Sequence, residues 1–348
     1  MAGGDPGVGI LGCGAIATIA HLPALRALGV PVVAVADVDG SRCAAAASRF
    51  SVERRYATVD ELAADADVDV VAVCVPPQHH VQAATTALTA GKHVLVEKPV
   101  ALDLDDAERL RLVAAESGRL VMVGFNSRFH RRVRRARELV GSGALGKLEL
   151  VRTAMSNPPL ELDAGMAWRA APGLGGGAFA DLASHHLDLW RFFAGEVAEI
   201  GALAVAEMGD EMAAAVVGTT ADGVLLSSTF SQRTVTAHEL ELLGTAGRLS
   251  LSLYRFAPLR VESIGVPGGL KERVRSSTAA LRELPGALAV ARRGGDFLES
   301  YRLEWEHFLA AVRRQVPLES TLDDGVRALG LLLAAAQSAR TGRVVKVA

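Results

Sequence analysis

Gly12-Cys13-Gly14-Ala15-Ile16-Ala17 is the first stretch of the 348-residue chain whose residue types point to a chemistry. It follows an apolar run, Val8–Leu11, and opens a segment with helical spacing, Ile16–Leu28. In that setting G-x-G-x-x-G/A is a phosphate cradle. Gly12 permits a tight turn, Gly14 lets the backbone approach a pyrophosphate, and Ala17 is small enough for helix to pack on strand. The helix start offers unpaired N–H groups and a partial positive charge to the phosphates. Asp37 ends the second apolar run, Val32–Ala36, about 20 residues further on. A carboxylate there accepts hydrogen bonds from ribose hydroxyls and repels a 2′-phosphate, which favours NAD over NADP. Arg42 is the nearby group that would accommodate such a phosphate.

A second constellation lies downstream. Asp181 and His185 are four apart in a stretch with helical spacing, Asp181–Phe193, so they share a face one turn apart and can both reach one substrate. Asp188 extends the set to the i, i+4, i+7 spacing of a metal site, but a salt-linked helix is the simpler reading and no metal is expected. Lysine is scarce: Lys92, Lys98, Lys147, Lys271 and Lys346 are the only five among 37 basic residues. A lysine kept in a cleft of so Arg-rich a chain suggests a need for the one cation that can be tuned to titrate near neutrality.

These residues need a scaffold. Apolar runs at Val8–Leu11, Val32–Ala36, Val68–Val75, His93–Val96 and Leu120–Val123 alternate with helical segments near Ile16–Leu28, from Ser41, His79–Ala90 and Asp103–Ser117. That alternation predicts βαβ units and a doubly wound parallel sheet. Past Phe125 the pattern changes. A basic helix, Arg128–Val140, and a strand, Lys147–Met155, lead through a Gly/Pro segment to the Asp181–Phe193 helix. Strand-like runs follow at Val197–Glu207, Met212–Thr219, Val224–Phe230, Ala237–Leu243 and Leu249–Tyr254, without helices between them, which predicts a mostly antiparallel sheet. Residues 266–295 show no clear period, and helices near Phe297–Arg314 and Asp323–Thr341 close the chain. The expected division is residues 1–125 as a dinucleotide-binding Rossmann domain and 126–348 as a substrate-binding and oligomerisation α/β domain.

Composition narrows the class. Net charge is −2 and charged residues make up 22%, so nothing supports a nucleic-acid surface. No apolar run reaches the ~20 residues a bilayer span needs, and no membrane partner is expected. The first residues have neither a basic nor an apolar leader region. Cys13, Cys43 and Cys74 lack metal spacing and read as reduced thiols, so a cytoplasmic location is expected. The arginines from Arg128 to Arg137 read as a solvated helix face or a subunit contact.

Gly91-Lys92-His93-Val94-Leu95-Val96-Glu97-Lys98-Pro99 resembles the signature of the Gfo/Idh/MocA oxidoreductases, a family that includes inositol 2-dehydrogenase and glucose–fructose oxidoreductase. Pro76-Pro77-Gln78-His79-His80, Gly124 to Phe129, Trp168-Arg169, Gly175 to His185 and Gly244 to Gly247 resemble it in the same order. Val75, Ala183 and Arg131 stand where members often have Thr, Gly and Pro, which bears on local backbone shape and removes no reacting group. The resemblance implies an N-terminal Rossmann domain and a C-terminal domain whose open sheet forms a homodimer or homotetramer. It implies cofactor contacts from Gly12, Cys13, Gly14, Ala15, Ile16, Asp37, Arg42, Val75, Pro76, Pro77, His80, Glu97, Lys98, Asn126, Trp168 and Arg169, with a packing role for His80 equally open. It implies a catalytic set of Lys98, Asp181 and His185, with a cis bond before Pro99 turning Lys98 into the cleft. In that set His185 exchanges the hydroxyl proton, Asp181 orients and Lys98 stabilises the alkoxide.

The activity so implied is hydride transfer between NAD and a secondary alcohol or ketone of a sugar, cyclitol or aminosugar, including aminoglycoside-type substrates of antibiotic biosynthesis. Glu161 and Asp163 would favour a cationic aminosugar. The rival readings are an NADP-dependent nucleotide-sugar ketoreductase and a non-catalytic NAD-binding regulator on the same fold.

Overall fold

Strands β1 (Val8–Leu11), β2 (Val32–Ala36), β4 (Val70–Val73), β5 (His93–Val96) and β6 (Val121–Val123) are short apolar runs, three of them fully buried along their whole length. Continuous burial is what a parallel sheet covered on both faces requires. In the computed structural model these strands pair in parallel with β3 (Arg54–Tyr56) in the order β3-β2-β1-β4-β5-β6. β3 was not legible beforehand: it is a three-residue strand at the sheet edge, with two exposed arginines. The structure describes residues 5–158, 177–207, 210–253, 259–263 and 285–347.

Helices follow the strands where capping chemistry starts them. Asp39 accepts from the Ser41 and Arg42 N–H groups at the head of α2 (Gly40–Phe50). Thr58 and Glu61 form a capping box on α3 (Val59–Ala64), a helix too short for its period to be seen in the sequence. α1 (Leu22–Leu28), α4 (His80–Thr89) and α5 (Leu104–Ser117, capped by Asp103) lie close to their expected places.

The described residues form two compact units. The first holds those up to Asn126 together with Ser300–Leu329, and the second holds the rest. The return of Ser300–Leu329 is fixed by backbone and side-chain bonds. Val123 N–H donates to the Ser320 carbonyl, Ser320 Oγ donates to the Val123 carbonyl, and Met122 bridges Thr321. Gly325 permits the approach of α10 (Leu322–Thr341), because a Cβ there would lie 2.6 Å from Val123 Cγ2. α9 (Gly295–Val312) brings Trp305 and Phe308 into this core.

In the second unit an eight-stranded sheet runs in the order β13-β12-β11-β7-β10-β9-β8-β14, antiparallel except for β7 (Leu148–Ser156) against β10 (Leu225–Ser231). β8 (Val197–Glu207), β9 (Asp210–Thr220), β11 (Ala237–Gly244) and β12 (Gly247–Ser252) stand within a few residues of the expected runs; β13 (Arg260–Ser263) and β14 (Val345–Lys346) are additions. One face buries Val151, Met155, Val216, Leu226, Phe230, Leu240 and Leu242, and α8 (Ser184–Ala194) packs against β7. Residues 285–292, within the stretch without a clear period, are helical.

The basic helix is a correction. The chain breaks at His130 between α6 (Asn126–Phe129) and α7 (Arg131–Gly141), where the imidazole Nδ1 caps α7 by accepting from Arg132 N–H. Arg128 and Arg132 are buried, so the arginines are not one solvated face. Among the described residues no helix is long and apolar enough to cross a membrane.

Candidate active site

Ala36, Leu11, Val73, Val96 and Val123 stand in register across β2, β1, β4, β5 and β6. The strands run the same way, so Asp37, Gly12, Val75, Glu97 with Lys98, and Asn126 all leave one edge of the sheet. The strand order reverses between β1 and β4, the switch point at which open α/β sheets bind ligands.

The glycine turn has the shape its sequence demands. Gly12 has φ +90°, and a Cβ on it would lie 2.7 Å from the Cys74 carbonyl oxygen, so no larger residue fits. A Cβ on Gly14 would meet nothing within 4 Å, which leaves open space over the turn. Ala17 is fully buried and begins a π-turn, Ala17–His21, that continues into α1. Asp37 is held by two backbone amides: Oδ2 accepts from Cys13 N–H at 2.7 Å and Oδ1 from Asp39 N–H at 2.8 Å. The carboxylate is thereby locked to the glycine turn. Arg42, the possible phosphate partner, instead pairs with Asp39 at 3.3 Å. A glycine turn beneath open space, a helix start and a fixed carboxylate at the next strand tip fit a dinucleotide.

The loop after β4 and the strand after β5 are tied together. Val75 and Pro76 are half-buried, and Pro77 opens a 3₁₀ turn that leads to the buried His80. The His80 ring sits 2.8 Å from the Val75 carbonyl through Nε2 and 2.7 Å from the Pro99 carbonyl through Nδ1. Burial lowers its proton affinity, and the two carbonyls oppose that. His80 therefore shapes the loop, the packing role left open by the sequence. The Lys98–Pro99 peptide is cis, as expected, and Lys98 is half-buried. Asn126 is buried and its amide donates to Ser300 Oγ at 2.9 Å.

In the second unit Asp181 and His185 are 9% and 8% exposed. Asp181 lies on a π-turn, Ala178–Ala183, that runs into α8, where His185 stands; the expected α-helix thus begins with a wider turn. Such π segments recur at functional sites, and both of those placed here adjoin candidate residues. Asp188, the third member of the possible metal set, is instead bound in a buried ion pair to Arg128. Trp168 and Arg169, with Glu161 and Asp163, lie outside the described residues.

Residues 7–125 match the oxidoreductase family with an NAD-binding Rossmann fold, GFO_IDH_MocA, and residues 133–250 match the GFO/IDH/MocA C-terminal domain. The chain belongs to the Gfo/Idh/MocA family. It is 29% identical over 360 residues to a myo-inositol 2-dehydrogenase of Thermotoga maritima, covering 98% of each chain. It is 31% identical over 314 residues to a dTDP-3,4-didehydro-2,6-dideoxy-α-D-glucose 3-reductase of Streptomyces antibioticus, covering 84% of this chain and 94% of that one. The solved structure of a levoglucosan dehydrogenase with NADH and levoglucosan shares the fold, with a TM-score of 0.83 and 20% identity over 98% of this chain and 99% of that one.

This Gfo/Idh/MocA oxidoreductase therefore carries an NAD-binding Rossmann domain. One candidate contact takes a different role from the expected one. Glu97 turns its carboxylate inward: Oε1 lies 2.9 Å from His21 Nε2 and Oε2 accepts from the Lys98 N–H at 3.2 Å. Burial opposes its ionisation, but the His21 hydrogen bond and the charge of Lys98 prevail and hold it below the usual carboxylate range. Close by, Glu304 is fully buried, with neither carboxylate oxygen hydrogen-bonded among the described residues. Burial, and then the charge of Glu97, pushes it well above that range. No local motif in the sequence marks His21, Glu304 or Trp305.

Proposed function

We propose that this oxidoreductase moves a hydride between NAD and a secondary alcohol, or the matching ketone, of a sugar, cyclitol or aminosugar. The observation that carries this reading is the single sheet edge from which the glycine turn, Asp37 and Lys98 all emerge. When bound, NAD supplies the hydride acceptor. Gly12 to Ile16 hold its pyrophosphate, and Asp37 accepts from the adenosine ribose. Lys98 hydrogen-bonds the carbinol oxygen and stabilises the alkoxide as it forms. His185 takes the hydroxyl proton, a task suited to imidazole near neutral pH. Asp181, beside it in sequence, orients the same hydroxyl-bearing unit.

The names of the relatives support a polyhydroxylated ring as substrate: one oxidises inositol and another reduces a nucleotide-linked ketosugar. The decisive experiment incubates the protein with NAD and a panel of cyclitols, free sugars and aminoglycosides, and follows reduced-nicotinamide absorbance. A parallel set offers NADH or NADPH with dTDP-ketosugars. Turnover in the first set supports the alcohol-oxidising reading, and turnover only with NADPH supports the ketoreductase. Tight NAD binding with no turnover in either set supports the non-catalytic regulator and refutes the enzyme.

The same proposal includes self-association. Leu203 and Val205 on β8, Val217 on β9 and Leu225 on β10 are all about half or more exposed on the open sheet. Neighbouring Arg152, Glu241 and Arg248 form an ion network. An apolar patch with a charged border suits a symmetric homodimer or homotetramer, and sedimentation of the protein and of Leu203→Glu tests it.

A further inference from the structure

Three buried side chains from distant parts of the first unit end on the backbone of Lys98. Trp305 and His21 are fully buried and Glu97 is 6% exposed. Indole nitrogen only donates, so Trp305 Nε1–H donates to His21 Nδ1, 3.1 Å away, and fixes that nitrogen as an acceptor. The single ring proton then sits on Nε2 and points at Glu97 Oε1, 2.9 Å away. The other carboxylate oxygen accepts from the Lys98 N–H. Donor direction is thus set at every link, from a nitrogen that cannot reverse to a carboxylate that cannot donate.

Packing holds the relay in place. Tyr301 meets the His21 ring edge-on, with centroids 5.1 Å apart at 78°. A Cβ on Gly124 would lie 3.2 Å from the Glu97 carboxyl carbon, so the glycine leaves room for the carboxylate and nothing larger. The other titratable groups that act on Glu97 are Lys98 and His80, which favour its charge, while nearby Glu304 is driven toward its neutral form by burial and then by Glu97. Glu97 therefore places one buried negative charge at the root of the Lys98 side chain.

We propose that Trp305, His21 and Glu97 are positioning residues that hold Lys98 in its working orientation. The proposal rests on the reading of Lys98 given above. Glu97→Gln is the sharpest perturbation. Its amide offers one oxygen and one NH₂ group to two donors, His21 Nε2–H and Lys98 N–H, so one hydrogen bond is lost and the charge disappears while the volume stays the same. Misplacing a reacting group by about 1 Å costs on the order of 100-fold. A fall of about 10- to 100-fold in kcat is expected, with NADH affinity changed by less than about threefold and the alkaline limb of the pH–kcat profile moved toward lower pH. His21→Gln keeps a donor near Nε2 and is expected to retain more activity than His21→Leu. Trp305→Phe, which removes only the indole N–H and part of the ring, is the mildest variant and covers the case in which the others do not fold.

A second readout needs no turnover. The chain has five lysines, so ¹⁵N-lysine labelling gives a backbone amide spectrum in which Lys98 is assigned through Lys98→Arg. The Lys98 amide is expected to shift in Glu97→Gln and in Trp305→Phe, while those of Lys92, Lys147 and Lys346 stay. An unmoved Lys98 amide overturns the relay. So do parent-like kcat and pH profile in folded Glu97→Gln, or equal losses in His21→Gln and His21→Leu. Failure of the parent protein to turn over any substrate, with the Lys98 amide shifting as described, refutes the assigned reaction and leaves the relay standing.

Discussion

Acid should unfold the second unit, and the cause is three buried imidazoles. His186, on α8 beside His185, has no exposure; its ring stands edge-on to Phe230 at 5.5 Å and lies 4.7 Å from the ring of His238. Burial, with the charge of His185 adding to it, pushes His186 down to about 3. Burial, then His186 and His130, push His238 well below its ordinary value of 6.5. Burial takes His130 down to about 4 against the opposing charge of Asp296. All three folded-state values are depressed, so the folded unit refuses protons that the unfolded chain accepts. The stability they contribute is present above about pH 6.5 and is lost as the pH falls through the window down to their folded values. Each refused proton costs up to ~1.4 kcal/mol per pH unit, so three cost up to ~4 kcal/mol per unit. Against a typical stability of ~5–15 kcal/mol, that unfolds the unit within two or three pH units.

The test is His186→Leu, which removes one of the three imidazoles at similar volume. Urea unfolding is followed by the fluorescence of Trp190, fully buried on the same helix. Between about pH 6 and pH 4.5 the parent should lose stability more steeply than the variant, by roughly 1.4 kcal/mol per pH unit. Its acid midpoint should lie higher. Equal slopes would show that His186 does not stay neutral inside the fold, and the reasoning from burial would fail.

Lys98→Ala should lower turnover by about three orders of magnitude with unchanged thermal unfolding, since it removes the charge that stabilises the alkoxide; near-parent turnover removes Lys98 from the mechanism. His185→Ala should abolish most activity near neutrality and flatten the acid limb of the pH–rate profile, and an unaltered profile argues against its role as base. Asp37→Ala should weaken NAD binding more than NADP binding in fluorescence titrations, and it also frees the Cys13 and Asp39 amides; equal affinity of the parent for the two cofactors contradicts the assigned role. Glu304→Gln should stabilise the protein increasingly as the pH rises. The folded value of Glu304 is raised, so its contribution is complete below the ordinary carboxylate range and is lost above it. Parent and variant Tm values that stay parallel from about pH 5 to pH 8 would refute that.

Much of the first unit was legible because its signals are local. Val8–Leu11 and Val32–Ala36 are apolar runs, the first buried throughout and the second at Ala34–Ala36, whose length and flanking glycine or aspartate settle strand and turn together. The elements that went unread are those with too few residues or the wrong polarity for a period: Arg54–Tyr56, Val59–Ala64 and Val345–Lys346. His130 broke an apparently continuous helix because its side chain caps the following turn, a choice made by hydrogen-bond geometry and not by periodicity.

The candidate site divides the same way. The chain's own order determined the glycine turn, the acid at the next strand tip, and the Glu-Lys-Pro and Asp/His motifs, because each depends on neighbours a few residues away. Only the tertiary structure decided that Glu97 faces inward to His21, that His80 joins Val75 to Pro99, and that Ser300–Leu329 returns to the first unit. The Trp305–His21 bond spans 284 positions. Contacts of that kind leave no spacing to read, since a buried donor is satisfied by whichever acceptor the fold brings to it, however far away along the chain.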